Sequence, residues 1–162
     1  MTEIQRMFLS TSESSTAAIG ARLAANLPTE LPGRALRVHL SGDLGAGKTT
    51  LVRGLLRALG VEGTVRSPTY SLLEHYRAGP WELLHLDLYR LASPEDLLAL
   101  GLADHDNAGA VWLIEWPERA AAVLPRADLE IRLSSDPAGH RVELRALGQV
   151  GAAWLTRLGS DS

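Results

Sequence analysis

Eight consecutive residues, Gly42-Asp43-Leu44-Gly45-Ala46-Gly47-Lys48-Thr49, fit the spacing G-x-x-x-x-G-K-[ST] of a phosphate-binding loop. The chemistry asks for these types. Glycines let backbone N–H groups turn inward and approach phosphate oxygens, and the N-terminus of a following helix adds its dipole to the anion site. Lys48 is suited to meet the β and γ phosphates, and the Thr49 hydroxyl to ligate Mg²⁺. Among 16 basic residues, Lys48 is the only lysine. A lone lysine here points to a compact ammonium where a guanidinium fork would not fit.

Such a loop also needs a carboxylate that orients Mg²⁺ or water, usually at the end of a neighbouring apolar strand. Asp87 closes Leu83-Leu84-His85-Leu86-Asp87, and Glu115 closes Val111-Trp112-Leu113-Ile114-Glu115. Read alone, a carboxylate at a strand end is more often a solvated terminus or a helix cap. Beside the loop motif, both are candidates. Trp116 is either a core aromatic or a ring over the nucleotide site. Ser67, Pro68, Thr69, Tyr70 and Ser71 read as a turn into a strand, or as a switch-like segment with hydroxyls within sight of a γ-phosphate. The five histidines lack metal-ligand spacing along the chain and read as surface or satisfied groups.

The elements that must position these residues follow from periodicity. Leu36, Val38 and Leu40 alternate with Arg37 and His39, which predicts a strand feeding directly into the glycine loop. After Thr49, Leu51, Val52, Leu55, Leu56 and Leu59 share one helical face, and Gly60 is placed to end that helix in a left-handed cap. Upstream, residues 7–9 read as a strand. Ser10-Thr11-Ser12-Glu13 reads as a capping box opening a helix to about Leu27. Residues 70–76 and 81–87 read as an antiparallel hairpin turning through Ala78-Gly79-Pro80. Ser93 is expected to cap a helix with Pro94 at its first position and Asp96 at its third. Residues 111–115 suit a buried strand. Leu129, Ile131 and Leu133 are expected to pair with Val142 and Leu144 across a polar turn over residues 134–140. A final helix is expected over residues 149–158. The sum is an α/β layered domain with a mixed sheet.

Composition limits the classes open to the chain. At 162 residues, 46% hydrophobic and 22% charged, one domain with a continuous core is expected over residues 1–158, with a frayed tail at 159–162. The formal net charge of −3 argues against a basic face gripping nucleic acid. With no cysteine, disulfides, thiolate catalysis and Cys-ligated metal are excluded. No segment has the apolar length of a signal peptide or a membrane span, so a cytoplasmic protein without membrane contact is expected.

GDLGAGKTT, SPTYSLLEHY, LLHLDLYRL and IEWPER, in this order and spacing, closely resemble the bacterial TsaE family, also called YjeE. The resemblance implies a P-loop NTPase fold: a mixed β-sheet with a parallel core and antiparallel strands, flanked by helices. It also implies an ATPase with ATP and Mg²⁺ as cofactors. In that reading the chain supports a TsaD–TsaB complex forming threonylcarbamoyladenosine in tRNAs that read A-starting codons, and its partners hold the tRNA. The resemblance makes Lys48 and Thr49 the phosphate and Mg²⁺ residues, with Thr50 in the same loop. It makes Glu115 the Mg²⁺-associated glutamate, Asp87 the functional aspartate and Trp116 the aromatic after the glutamate. Residues 67–71 become the switch-like segment. The looser N-terminal match puts Ser12 near the base.

Which of Asp87 and Glu115 positions water stays open, as does the source of any arginine acting on the γ-phosphoryl group. A GTPase is excluded, because its Asn-Lys-x-Asp base-reading motif needs a second lysine. A nucleotide-gated docking subunit without relevant hydrolysis and a small-molecule kinase remain as alternatives.

Overall fold

Alternation at residues 36–40 gives a strand two different faces, and in the computed structural model, which describes residues 4–65, 68 and 72–159, Leu36, Val38 and Leu40 are buried while Arg37 and His39 are half-buried. The strands are β1 (Gln5–Ser10), β2 (Leu36–Ser41), β3 (Leu73–Ala78), β4 (Trp81–Asp87), β5 (Ala110–Glu115), β6 (Leu129–Asp136) and β7 (Gly139–Ala146). Among the described residues they form one seven-stranded sheet in the order β1-β7-β6-β2-β5-β4-β3. The inner pairs β6-β2, β2-β5 and β5-β4 are parallel, while β3-β4, β6-β7 and β1-β7 are antiparallel. The expected parallel core with antiparallel flanks is therefore present. Every residue of β5 is buried, which explains its unbroken apolar run.

Helices α1 (Glu13–Ala25), α2 (Lys48–Leu59) and α4 (Gln149–Leu158) contribute to the core that includes Val38, Leu40, Val111 and Leu113. The indole N–H of Trp154 donates to the Leu23 carbonyl at 3.0 Å and ties α4 to α1. Between α1 and α2 the approach is close. A Cβ on Gly20 would lie 2.1 Å from the Leu51 carbonyl oxygen, and one on Gly54 would lie 2.0 Å from that of Ala17. The second core, with Leu84, Leu86, Trp112 and Ile114, packs against α3 (Glu95–Leu98) and the two 3₁₀ turns Leu102–His105 and Pro117–Ala120.

Several boundaries move. Ser12, not Ser10, is the cap of α1: its hydroxyl accepts from the Ser15 N–H, and the Ser15 hydroxyl accepts from the Ser12 N–H. Ser10 ends β1 fully buried, bonded to Ser15 and Thr16, so the expected box slides by two residues because the sheet claims Ser10. Helix α1 stops at Ala25, with Asn26 as its cap. Helix α3 is a single turn whose cap position is Pro94 rather than Ser93, although the Ser93 carbonyl accepts from the Asp96 N–H. Strands β6 and β7 pair as far as Asp136 and Gly139, shrinking the expected polar turn to Pro137-Ala138. Strand β3 begins at Leu73; the residues expected to start it, Tyr70 and Ser71, lie outside the described residues.

Candidate functional site

Strand β2 ends at Ser41 and α2 begins at Lys48, so the glycine loop spans the C-terminal end of the parallel core. Gly42 has φ +141°, and a Cβ there would lie 2.3 Å from the Leu133 carbonyl oxygen, so the loop enters past β6 with no room for a side chain. Gly47 caps α2 at φ +101° with no side-chain hydrogen bond, and no acidic residue occupies the first turn. Nothing from the helix's own first turn competes for an anion at that end. Thr50 lies inside this first turn rather than in the loop proper.

Lys48 is buried, and its ammonium donates to the carbonyls of Gly42 and, at 2.8 Å, Asp43. The Trp116 ring lies 4.4 Å from Nζ, in cation–π range. Burial pushes the Lys48 pKa below its ordinary value, against the upward pull of Glu115, Asp87, Glu118 and Asp43. A ligand anion at this place would favour the charged form.

The carboxylate of Glu115 is 2% exposed and accepts from the Thr49 hydroxyl at 3.0 Å. On its other side stands His85, whose Nε2 is 2.5 Å from Glu115 Oε2. Facing a carboxylate, Nε2 is the donor of that pair, and Nδ1 is buried without a partner. Register explains the convergence: β4 and β5 pair in parallel with Asp87 opposite Glu115, and His85 shares the face of Asp87 two residues earlier. Asp87 is half-buried, and its Oδ1 accepts from the Tyr89 N–H at 3.1 Å.

Trp116 takes the left-handed conformation at φ +58°, rare for a non-glycine residue, while its N–H donates to Leu40 at 3.2 Å. That turn, followed by Pro117, aims its ring at Lys48, and the Tyr89 ring packs on it at 5.0 Å. Trp116 thus packs against the second core and at the same time faces Lys48 in the cleft.

Lys48, Thr49, Thr50, Asp87, Glu115 and Trp116 line one cleft of about 300 Å³. Leu44, Gly45 and Gly47 line it too, whereas Gly42, Asp43 and Ala46 build the loop without facing it. Ser12 lines an adjoining hollow of about 210 Å³ with Gly45, Gly47 and Thr50. A larger hollow of about 350 Å³, around His39, Arg126 and Glu130, contains none of the predicted site residues. Of the switch-like segment, Pro68 is buried; Ser67, Thr69, Tyr70 and Ser71 lie outside the described residues.

Sequence reasoning passed over three contributors: His85, Glu13, which heads α1 and lines the cleft, and Tyr89. The signal for His85 was there, a histidine inside an apolar run and in phase with Asp87.

The family model described as "Threonylcarbamoyl adenosine biosynthesis protein TsaE" matches residues 10–142. The chain belongs to the TsaE family. A relative named "tRNA threonylcarbamoyladenosine biosynthesis protein TsaE" from Haemophilus influenzae is 43% identical over 131 residues, covering 81% of each chain. A protein of the same name from Treponema pallidum is 42% identical over 104 residues, covering 64% of this chain and 76% of the relative. The crystal structure of Bacillus subtilis YdiB shares the fold with a TM-score of 0.75 at 24% identity, covering 98% of this chain and 96% of that one. Among the described residues of this TsaE-family chain, no helix is long and apolar enough to cross a membrane.

Proposed function

We propose that this chain is a P-loop ATPase that acts in forming N6-threonylcarbamoyladenosine in tRNA, supporting a TsaD–TsaB complex through ATP binding and hydrolysis. One observation carries the reading: Lys48, Thr49, Glu115 and Asp87 converge on one cleft beside a glycine loop, at a helix N-terminus with no side-chain cap, and His85 backs Glu115. Family membership and the names of the relatives support the pathway.

The donor set fits the cofactors. Thr49 and Glu115 would hold Mg²⁺, an oxygen-seeking cation that neutralises phosphate charge. Lys48 would exchange its two loop carbonyls for phosphate oxygens, and the loop amides would stabilise charge on the γ-phosphoryl group. His85 orients Glu115 from behind. Asp87, less buried and beside Glu115 in register, is the better placed of the two to orient water and accept its proton. Trp116 and Tyr89 wall the cleft. With a net charge of −3, the chain is suited to reach tRNA through its partners rather than alone.

The test is ATP hydrolysis by the purified chain alone and with its cognate TsaD–TsaB complex, with Lys48→Ala as control. Stimulation by the partners that is lost in the variant is the expected result. Confirmed ATP binding and complex formation without hydrolysis would replace it with a nucleotide-gated docking subunit.

A further inference from the structure

His75 and Glu82 sit on the two strands of one hairpin and His105 lies 23 residues beyond Glu82, with no metal-binding spacing along the chain. The fold gathers them. Arg77 and Glu82 face each other across the β3-β4 hairpin, and His75 lies two residues from Arg77 on the same face. His105 arrives from the 3₁₀ turn Leu102–His105, whose last carbonyl accepts the Trp112 indole N–H at 3.2 Å. Just beyond it, Asp106 accepts from the Ala35 N–H and from Arg37. All three side chains therefore project from anchored backbone.

His105 Nδ1 lies 2.8 Å from Glu82 Oε1, and His75 Nε2 lies 3.6 Å from Glu82 Oε2. All three ligand atoms fall within 4.8 Å of one another, the one such His/Cys/Asp/Glu group among the described residues. A tetrahedral zinc ion with bonds near ~2.1 Å sets its ligand atoms about 3.4 Å apart, so small side-chain rotations suffice. Two imidazoles and one carboxylate suit zinc rather than magnesium or calcium. Side-chain exposures of 35%, 16% and 33% leave room for water as a fourth ligand.

We propose that His75, Glu82 and His105 bind one zinc-class divalent cation, which clasps the edge hairpin to the turn Leu102–His105. Arg77 competes, 3.0 Å from Glu82 Oε2, but its side chain is 72% exposed and such a pair exchanges readily with solvent. The proposal is independent of the nucleotide reading.

The experiment is calorimetric titration of Zn²⁺ into the full, tag-free, chelator-stripped chain, with excess Mg²⁺ present to occupy oxygen sites. One ion per chain is expected. Both His75→Ala and Glu82→Gln should weaken binding by more than ~10-fold, and Zn²⁺ should raise the melting temperature of the parent but not of these variants. His75 is partly exposed at the sheet edge, so its variant keeps the comparison valid should Glu82→Gln fold poorly; far- and near-ultraviolet circular dichroism checks this. No Zn²⁺ binding by the parent, or equal binding by parent and folded His75→Ala, would overturn the proposal.

Discussion

Two carboxylate–imidazole pairs share strand β4 and behave differently because of where its two faces point. On one face His85 meets Glu115 at 2.5 Å, with side-chain exposures of 0% and 3%. On the other, Glu82 meets His105 at 2.8 Å, with exposures of 16% and 33%. The buried pair also takes the Thr49 hydroxyl, at the start of the helix that follows the glycine loop. The open pair takes Arg77 and His75 from the sheet edge. Burial makes the first pair obligatory: removing one partner strands a polar group in a low dielectric, at about 1–3 kcal/mol or more when charged. Solvent makes the second exchangeable, because water can replace any partner. The same two residue types thus give a fixed positioning device in one place and an adaptable ligand set in the other.

The largest expected effect breaks the buried side at its cation. Lys48→Ala should lower kcat/KM for ATP hydrolysis by roughly 10²–10³, measured by steady-state kinetics; unchanged turnover and affinity would remove the loop from the mechanism. Asp87→Ala should reduce kcat by about 10² while leaving most of the nucleotide affinity. Fluorescent-nucleotide binding alongside single-turnover hydrolysis separates the two effects, and equal losses in both would assign Asp87 to binding instead.

A subtler break leaves the cleft intact and removes the support behind Glu115. His85→Leu should weaken the apparent Mg²⁺ affinity in nucleotide binding by about 10-fold or more. A Mg²⁺ titration at fixed nucleotide reads this, and an unshifted midpoint with a folded variant would make His85 a packing residue only.

The open pair should respond least. Glu82→Gln should cost less than ~1 kcal/mol in urea unfolding without added metal. The folded Glu82 pKa lies below the unfolded carboxylate value of about 4.3, so this carboxylate contributes stability above that pH and loses it as pH falls through the folded value. Parent and variant curves should therefore converge in acid. Divergence on acidification would reverse the assigned sign.

Much of this contrast is invisible along the chain. The glycine loop, the strand before it and the helix after it were legible because they are contiguous and governed by local rules: Gly42 and Gly60 at positive φ and the Leu51-to-Leu59 stripe on one face. The placement of Asp87 and Glu115 at strand ends was equally legible. The start of α1 was misread by two residues, because a capping pattern cannot tell whether Ser10 is claimed by a sheet. His85 and the His75–Glu82–His105 group were passed over, since spacing motifs describe ligands on one local element and these come from separate ones.

The sequence by itself determined the local elements: a lone lysine in a glycine loop, a strand before it, a helix after it, and two carboxylates at strand ends. Tertiary structure decided which of these meet. Periodicity reports which side of a strand is buried, but neighbours in a sheet are chosen by burial over the whole domain. Placing β5 between β2 and β4 brings Glu115 to Thr49, 66 positions away, and to His85, 30 away.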